Sequence, residues 1–452
     1  MILYHYRSIE RALTEIGDGT FYFATHNELN DPIEGYIKVF WMGDKFAWEG
    51  LLRNYIYNIA LAILEHLSGR DMLYVSHKSS LLINVNILNN MQLEETLNDL
   101  GATFLADNEI QDLTTFYGQQ RLEINEEGLR IILYLVHHKA LKLCIAKYLE
   151  LNLIPKEIAD NVLRLLAHDK MPRLPFDKMN ENPPVSQLIN IISQIGIGLL
   201  DDELELRYIK NNIFSEEKQR RNWMAIFVDF PKSYIQQLKD MIYPENFVVC
   251  FSSKNNNSAM WGNYADHHKG VCLIYETDKD DIIKIKQGRD TFTLKAKPIL
   301  YEGDLVKRNF FETFGRLTRA EVKTWLTGAD GSISSSFEVF EDENQWRNEY
   351  WKMCEMKNYH KLKAWKDEQE YRIILSSTFY DFSTPESRIL KYDPKCLKGV
   401  IFGLSTSEPD KKQIMDKLLE NKDNYTNFTF YQAEFDDEKQ SITIREKQGW
   451  EI

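Results

Sequence analysis

The chain has 452 residues, enough for two or three domains, and its 43% hydrophobic and 27% charged residues are typical of a soluble globular protein. A formal net charge of −13 disfavours general binding to phosphate backbones or anionic lipids. The five cysteines are scattered and form no CxxC motif, so neither a disulfide framework nor a zinc knuckle is indicated. There is no signal-peptide pattern and no uncharged run of about 20 apolar residues, so we expect a cytoplasmic protein without a membrane span.

The chain begins with the period of a β-strand. Residues 2–7 alternate so that Tyr4 and Tyr6 lie on one face and His5 lies on the other. A short helix follows, and residues 20–25 predict a second strand. A lone histidine on a strand is more often a hydrogen-bonded core residue than a catalyst, and the sequence leaves both interpretations of His5 open.

The segment NDPIEG at residues 30–35 predicts a turn, because Asn, Asp and Pro favour turns for local backbone reasons. Asn30 and Asp31 fit a capped turn with a purely structural role. Glu34, which follows the turn, is also well placed to reach a pocket, so a ligand-binding turn is the second interpretation.

The hydrophobic period changes to that of helices near residue 45, and strand patterns return at residue 246 with helices between them. We therefore predict an α+β fold whose core is a mixed, mainly antiparallel sheet. Residues 1–44 and 245–452 form this core domain, and residues 45–244 form a large helical insertion domain that interrupts it.

The segment AWKDEQEYRIIL at residues 364–375 carries the strongest local signal for chemistry. On a strand, Glu368, Glu370 and Arg372 share one face, with neighbours about 6.6 Å apart. Two carboxylates in line with a guanidinium can hold a polyol, a sugar or a developing cation, and they tune each other's pKa. A structural ion pair on a solvated strand face is the other interpretation, and the residue types alone favour it slightly.

The segment MWGNYADHHKG at residues 260–270 predicts a short helix and a turn into the next strand. Trp261 and Tyr264 are three residues apart and therefore neighbours on one helix face, where they could serve both the core and a pocket wall. His267 and His268 have no third metal ligand nearby, and the common nucleotide and zinc motifs are absent from the sequence. We expect no bound metal.

Five motifs, in this order, resemble a bacterial family of domains of unknown function, number 2971. They are LYHYR at residues 3–7, LNDPIEG at 29–35, VCFS at 249–252, MWGNYADHHKGVCL at 260–273 and KLKAWKDEQEYRI at 361–373. They lie on both sides of the helical segment. The outline of this family is in turn similar to the ADP-ribosyltransferase fold, whose enzymes cleave the nicotinamide–ribose bond of NAD.

That second resemblance implies roles for individual residues. His5 would hold the ribose, Trp261 or Tyr264 would stack on nicotinamide, and Glu368 or Glu370 would steady the oxocarbenium ion. The expected catalytic residues are thus Glu368, Glu370 and His5. The expected ligand-binding residues are Tyr4, Tyr6, Asn30, Asp31, Glu34, Ser252, Trp261, Tyr264, His268, Lys361 and Arg372.

The resemblance implies an NAD-consuming ADP-ribosyltransferase-like enzyme, of the kind found among toxins and antiphage defence effectors, with NAD as substrate. A macromolecular acceptor, either protein or nucleic acid, fits this activity. Two alternatives stay open: another enzyme acting on a phosphorylated or nucleotide-like ligand in the same pocket, and a non-catalytic sensing or interaction module. The sequence does not indicate an oligomeric state.

Overall fold

A computed structural model of the protein describes residues 1–31, 33–69, 81–83, 88–167, 217–301, 307–377 and 380–451. The fold is α+β with a large mixed, mainly antiparallel sheet, which confirms the predicted class. The strands are β1 (Ile2–Arg7), β2 (Thr20–Tyr22), β3 (Lys38–Phe40), β4 (Asn246–Ser252), β5 (Val271–Glu276), β6 (Ile282–Gln287), β7 (Asp290–Lys295), β8 (Lys297–Pro298), β9 (Lys307–Asn309), β10 (Glu370–Ser376), β11 (Ile389–Tyr392), β12 (Leu397–Phe402), β13 (Thr429–Asp436) and β14 (Ser441–Glu446).

The helices connect and cover these strands. They are α1 (Ile9–Asp18), α2 (Lys45–Leu67), α3 (Met91–Leu105), α4 (Asn108–Gln120), α5 (Glu126–Glu150), α6 (Lys156–Ala167), α7 (Glu217–Met224), α8 (Phe230–Ile242), α9 (Ser258–Tyr264), α10 (Arg319–Trp325), α11 (Glu343–Asn358) and α12 (Glu408–Glu420). A π-helical turn, Ala225–Asp229, lies between α7 and α8. Among the described residues, no helix combines the length and the hydrophobicity needed to cross a bilayer.

Contacts divide the chain into two compact units. Unit 1 consists of Met1–Ile37, Pro244–Val306 and Lys352–Ile452, and unit 2 consists of Lys38–Tyr243 and Lys307–Trp351. The predicted domains differ from this division in residues 38–44 and 307–351, which the sequence assigns to the sheet-containing core. These residues group with unit 2 because β9 pairs in parallel with β3 and because α10 packs against α2.

Unit 1 contains one eight-stranded sheet in the order β14-β13-β12-β5-β1-β4-β10-β8. Neighbouring strands are antiparallel except for the parallel pair β12 and β13. The runs NFVVCFS in β4 and VCLIYE in β5 are almost continuously apolar, as is typical of strands buried on both faces. The N-terminal strand β1 therefore lies in the middle of a sheet whose other strands come from after residue 244.

A second sheet, in the order β2-β11-β6-β7, covers one face of the large sheet through a shared hydrophobic core. Leu3 and Phe251 from the large sheet and Phe21 and Leu390 from the small sheet are buried in this core. A smaller hydrophobic cluster on the opposite face contains Tyr6 and residues of α9. The two faces of β1 thus serve different environments, as its period-two alternation requires.

Unit 2 is helical around α2, which is buried along most of its length because apolar side chains surround its whole circumference. The side chain of Asp44 begins this helix by accepting a hydrogen bond from the N–H of Ala47. Helices α3, α4 and α5 pack against α2. Residues 168–216 of the predicted helical segment lie outside the described residues.

Two local features differ from the sequence-based expectation. Glu368 is not on a strand with Glu370, because it ends a 3₁₀-helix, Lys363–Glu368, and β10 begins two residues later. The hairpin of β6 and β7 was not predicted, and it places two more strands in the small sheet.

Candidate functional site

A cavity of about 600 Å³ lies in unit 1 where strands β1 and β4 separate. The two strands pair through Tyr4 and Ser252, and among the described residues they form no further pair. Residues 4–7 of β1 and 248–251 of β4 line the cavity, together with residues from α1 and from the turn at residues 29–34. Its volume is within the range of roughly 300–1,000 Å³ that small-molecule sites occupy. We call it the sheet cavity.

Five buried charged side chains lie at one end of the sheet cavity, and we call them the ionic cluster: Glu34, Lys361, Glu368, Glu370 and Arg372. The ammonium group of Lys361 lies 2.9 Å from Glu34, 2.6 Å from Glu368 and 2.9 Å from Glu370. The guanidinium of Arg372 contacts Glu34 and Glu370 and donates a 3.0 Å hydrogen bond to the carbonyl of Asn358. The cluster holds one more carboxylate than cations, so it carries net negative charge when every group is ionised.

The charges of the cluster shift the pKa values of its carboxyl groups in different directions. Burial by itself raises the pKa of Glu370, but Arg372 and Lys361 outweigh it and lower the pKa to about 2. For Glu34, burial together with the charge of Glu370 prevails, and its pKa is raised. Burial lowers the pKa of Lys361, yet the three surrounding carboxylates more than offset this and raise it. Lys361 therefore stays charged, and Glu34 holds a proton more readily than Glu370 does.

The backbone around Gln369 explains how two carboxylates come so close together. Gln369 has the left-handed φ of +43°, which turns the chain sharply between the 3₁₀-helix and β10. Its carbonyl accepts a 3.0 Å hydrogen bond from the N–H of Ser253, just beyond β4. Left-handed backbone costs a residue with a Cβ atom about 1–2 kcal/mol, so surrounding contacts must hold it in place.

Two tyrosines and a cysteine adjoin the cluster. The hydroxyl of Tyr264 on α9 donates a 2.8 Å hydrogen bond to Glu368, and burial with the nearby Glu368 raises the pKa of this tyrosine. The hydroxyl oxygen of Tyr301 accepts a 2.8 Å hydrogen bond from the N–H of Glu370. Cys250, opposite Arg372 in the strand pairing, lines the cavity, and burial raises the pKa of its thiol. We therefore expect Cys250 to be an uncharged thiol rather than a nucleophilic thiolate.

A second buried polar group lines the cavity on the opposite face of β1. His5 Nδ1 lies 2.9 Å from Glu15 of α1, and Glu15 also accepts hydrogen bonds from Tyr275, at 2.6 Å, and from Arg7, at 2.9 Å. Burial alone raises the pKa of Glu15, but His5 and Arg7 lower it to about 2. Burial and the charge of Arg7 lower the pKa of His5. The ring of His5 packs against Phe251 at a centroid distance of 4.8 Å.

Most of the residues expected to catalyse or to bind ligand come together at the sheet cavity. Those that line it are Tyr4, His5, Tyr6, Asn30, Glu34, Tyr264, Lys361, Glu368 and Glu370. Those that do not are Asp31, Ser252, Trp261, His268 and Arg372.

Each residue of the second set has an internal contact instead. Arg372 is fully buried and holds Glu34 and Glu370, and Ser252 donates a 2.8 Å hydrogen bond to the carbonyl of Glu368. Trp261 is fully buried in the smaller hydrophobic cluster, and the ring of His268 stacks on it at 6.4 Å.

Asp31 is buried in the turn, where its carboxylate accepts a 3.0 Å hydrogen bond from the N–H of Ile33. Tyr264, rather than Trp261, is the ring of α9 that reaches the cavity.

Several residues near the site escaped the sequence-based prediction, among them Arg7, Glu15 and Cys250, which line the cavity, and Tyr301, which contacts Glu370. The burial of Glu15 could have been predicted from its position on the helix. It lies three residues after Ala12 and one residue before Ile16, and both of these are buried. A charged residue beside the apolar stripe of a short helix faces the protein interior and needs a buried partner. Arg7 and His5, both on strand β1, are such partners.

A family model described as "Protein of unknown function (DUF2971)" matches residues 260–373. The matched stretch runs from α9 into β10 and includes Tyr264, Lys361, Glu368, Glu370 and Arg372 of the site. This match confirms, for that part of the chain, the resemblance to the family of unknown function. No curated protein and no solved structure gives a significant match.

Proposed function

We propose that the sheet cavity binds NAD and that the protein cleaves the nicotinamide–ribose bond, passing ADP-ribose to water or to a macromolecular acceptor. The observation that supports this most directly is the carboxylate of Glu368. It lines the cavity beside the phenol ring of Tyr264, which donates a hydrogen bond to it. A fixed carboxylate next to an aromatic ring suits a sugar carbon that becomes positively charged as a flat, cationic ring departs.

The chemistry requires no redox step. Nicotinamide leaves with the electron pair of the C–N bond, so its ring nitrogen becomes neutral and the anomeric carbon becomes an oxocarbenium ion. Water or an acceptor group then attacks that carbon and loses a proton. The protein must therefore stabilise a transient positive charge. In comparable cases, fixed opposite charge in a site of low water content lowers the activation free energy by about 2.7–4 kcal/mol.

Glu368 fits this role better than Glu370. Glu370 contacts both cations of the cluster, Arg372 and Lys361, which neutralise its charge. Glu368 contacts one cation, Lys361, and its other oxygen accepts a hydrogen bond from a neutral phenol. More of the negative charge of Glu368 is therefore available to a ligand, and Glu370 serves to fix Lys361 and Arg372.

The remaining cavity residues supply binding surfaces for such a ligand. Tyr4 and Tyr264 offer ring faces or edges on the side of the ionic cluster, and His5 lines the other face of β1. We assign Glu368 as the catalytic carboxylate, with Lys361 and Tyr264 positioning it. An enzyme of this kind would act as a toxin or a defence effector when NAD depletion or ADP-ribosylation harms the cell.

A non-catalytic ligand-binding module is the second candidate, and one observation favours it. Each carboxylate of the ionic cluster already contacts a cation, so the cluster is also a stable structural element. A protein of this kind would bind a nucleotide-like ligand and signal its presence without changing it. An enzyme acting on another nucleotide-like ligand in the same cavity would use the same residues.

Two measurements on the purified full chain separate these candidates. Calorimetric titration with NAD tests binding, and chromatography of the reaction mixture tests nicotinamide release, with and without cell extract as a source of acceptors. Binding together with release supports the enzyme. Binding without release under both conditions supports the sensing module, and no binding at millimolar NAD contradicts both NAD-based assignments.

A further inference from the structure

The pair formed by His5 and Glu15 constrains the chemistry of one wall of the sheet cavity. Glu15 is buried, and three side chains point donor atoms at its carboxylate: Tyr275, Arg7 and His5. The hydroxyl of Tyr392 donates a further hydrogen bond, 3.1 Å long, to the main-chain carbonyl of Glu15. Strands β1, β5 and β11 thus all fix the position of this one residue of α1.

This arrangement determines which nitrogen of His5 carries a proton. An ionised carboxylate accepts hydrogen bonds and donates none, so the nitrogen that faces Glu15 must be the protonated one. That nitrogen is Nδ1. A buried imidazole is neutral near neutral pH, which leaves Nε2 with a free lone pair.

The other nitrogen has no internal partner. Within the described residues, Nε2 of His5 makes no hydrogen bond, although the side chain is 2% exposed and lines the sheet cavity. An acceptor at a cavity wall that has no internal partner takes its donor from water or from a ligand. The wall of the cavity therefore presents a fixed acceptor where Nε2 lies.

We propose that Glu15 is a positioning residue that holds His5 with its proton on Nδ1, so that Nε2 accepts a hydrogen bond from a hydroxyl group of the ligand. The identity of that ligand as a nucleotide rests on the proposed function, since the ribose of a nucleotide supplies such hydroxyls. The assignment of Nε2 as a hydrogen-bond acceptor does not depend on which ligand binds. Arg7 contributes by holding the second oxygen of Glu15.

The first test needs no ligand, and it needs a substitution only to assign the signal of His5. Long-range ¹H–¹⁵N spectra of protein labelled with ¹⁵N-histidine distinguish the two neutral tautomers and the charged ring, and the signal absent from His5→Gln identifies His5. We expect the Nδ1–H tautomer at pH 7.5. Either an Nε2–H tautomer or a charged ring in the unmodified protein overturns the inference, whatever the outcome with NAD.

The second test reverses the hydrogen bond. In Glu15→Gln the amide can donate to Nδ1, so we expect His5 to move its proton to Nε2 and to become a donor towards the cavity. Asp18→Asn is the matched control, because it removes one negative charge from the exposed end of the same helix. An unchanged tautomer in Glu15→Gln, in a protein that melts cooperatively, contradicts the positioning role.

The third test connects the acceptor to the ligand. We expect NAD analogues that lack one ribose hydroxyl to reveal a single position whose removal weakens binding to the unmodified protein about tenfold, the value of one good hydrogen bond. The same analogue should bind Glu15→Gln no worse than NAD does. Equal losses in both proteins contradict the inference. If NAD itself does not bind while His5 is the Nδ1–H tautomer, the proposed function fails and the fixed acceptor stands.

Discussion

Ser252 donates its hydroxyl hydrogen bond to the main-chain carbonyl of Glu368 over 2.8 Å, and it accepts one from the N–H of Lys254 at 3.0 Å. In the strand pairing, Ser252 lies opposite Tyr4 on one side and opposite Glu370 on the other. Ser252 therefore lies where three strands pair through their backbones, and its small, fully buried side chain holds the turn that carries Glu368. Its effect on the site is exerted through the backbone.

Ser252→Ala should lower the free energy of unfolding by about 1–3 kcal/mol, because the buried carbonyl of Glu368 and the partly buried N–H of Lys254 both lose their partner. Urea denaturation measures this difference. Ser405→Ala is the control, since Ser405 is exposed and its side chain makes no hydrogen bond within the described residues. Equal stability of Ser252→Ala and the unmodified protein would show that the serine is dispensable for the turn.

Glu368→Gln should reduce the rate of nicotinamide release from NAD by roughly 10²–10³, the cost of removing one preorganised charge-stabilising group. The substitution keeps the size of the side chain and its contact with Tyr264. Asp367→Asn is the matched control, because Asp367 is the adjacent carboxylate but is exposed and does not line the cavity. Release that is equal in Glu368→Gln and in the unmodified protein would exclude Glu368 as the catalytic carboxylate.

Lys361→Met should destabilise the protein by about 3–5 kcal/mol, since it leaves three buried carboxylates with Arg372 as their one remaining cation in the cluster. Thermal and urea unfolding measure the loss. Lys363→Met, two residues away at the exposed start of the 3₁₀-helix Lys363–Glu368, should change stability little. A loss below 1 kcal/mol in Lys361→Met would mean that the carboxyl groups relieve the missing charge by taking up protons.

Acidification should destabilise the protein through two of its carboxylates. Glu15 and Glu370 have pKa values lowered to about 2 from a usual value near 4.5, so the stability they contribute is complete above about pH 4.5 and is lost as the pH falls through 2. For Glu15 the contribution is about 3 kcal/mol at most.

The free energy of unfolding, measured at several pH values between 6 and 2.5, gives the pH dependence of stability directly. In Glu15→Gln the decrease below pH 4.5 should be shallower than in the unmodified protein, even though the variant is less stable at pH 6. A slope that is the same in both proteins would contradict the low pKa of Glu15.

The sequence predicts the period-two face of β10 well, because Glu370 and Arg372 alternate with apolar residues and do share one face in the sheet. It wrongly places Glu368 on the strand, because the left-handed backbone at Gln369 turns the chain before β10 begins. A glycine would indicate such a turn in the sequence, whereas a glutamine does not. The relation of His5 to Glu15 depends on the angle at which α1 packs on β1. Such an angle is set by tertiary packing and is not contained in local periodicity.

The hairpin of β6 and β7 was not predicted, although its sequence does carry a signal for it. Ile283 and Ile285 alternate with lysines, and Gly288 has the left-handed φ of +58° at the turn. This period-two pattern with a central glycine is a recognisable hairpin signal. Trp261 was harder to place, since helical spacing puts it beside Tyr264 but does not tell which ring reaches a cavity and which enters the core.

Strand β1 is synthesised well before its two neighbours in the sheet, β4 and β5, which begin at residues 246 and 271. At a translation rate of about 5–20 residues per second, this strand waits roughly 10–50 seconds on the ribosome before either neighbour exists. The whole of α2 through α8 can form during that interval from contacts closer in sequence, which are made faster. The strand that carries His5 is thus synthesised long before the strands that complete the cavity wall, and an unpaired strand edge is prone to aggregation until its neighbours are present.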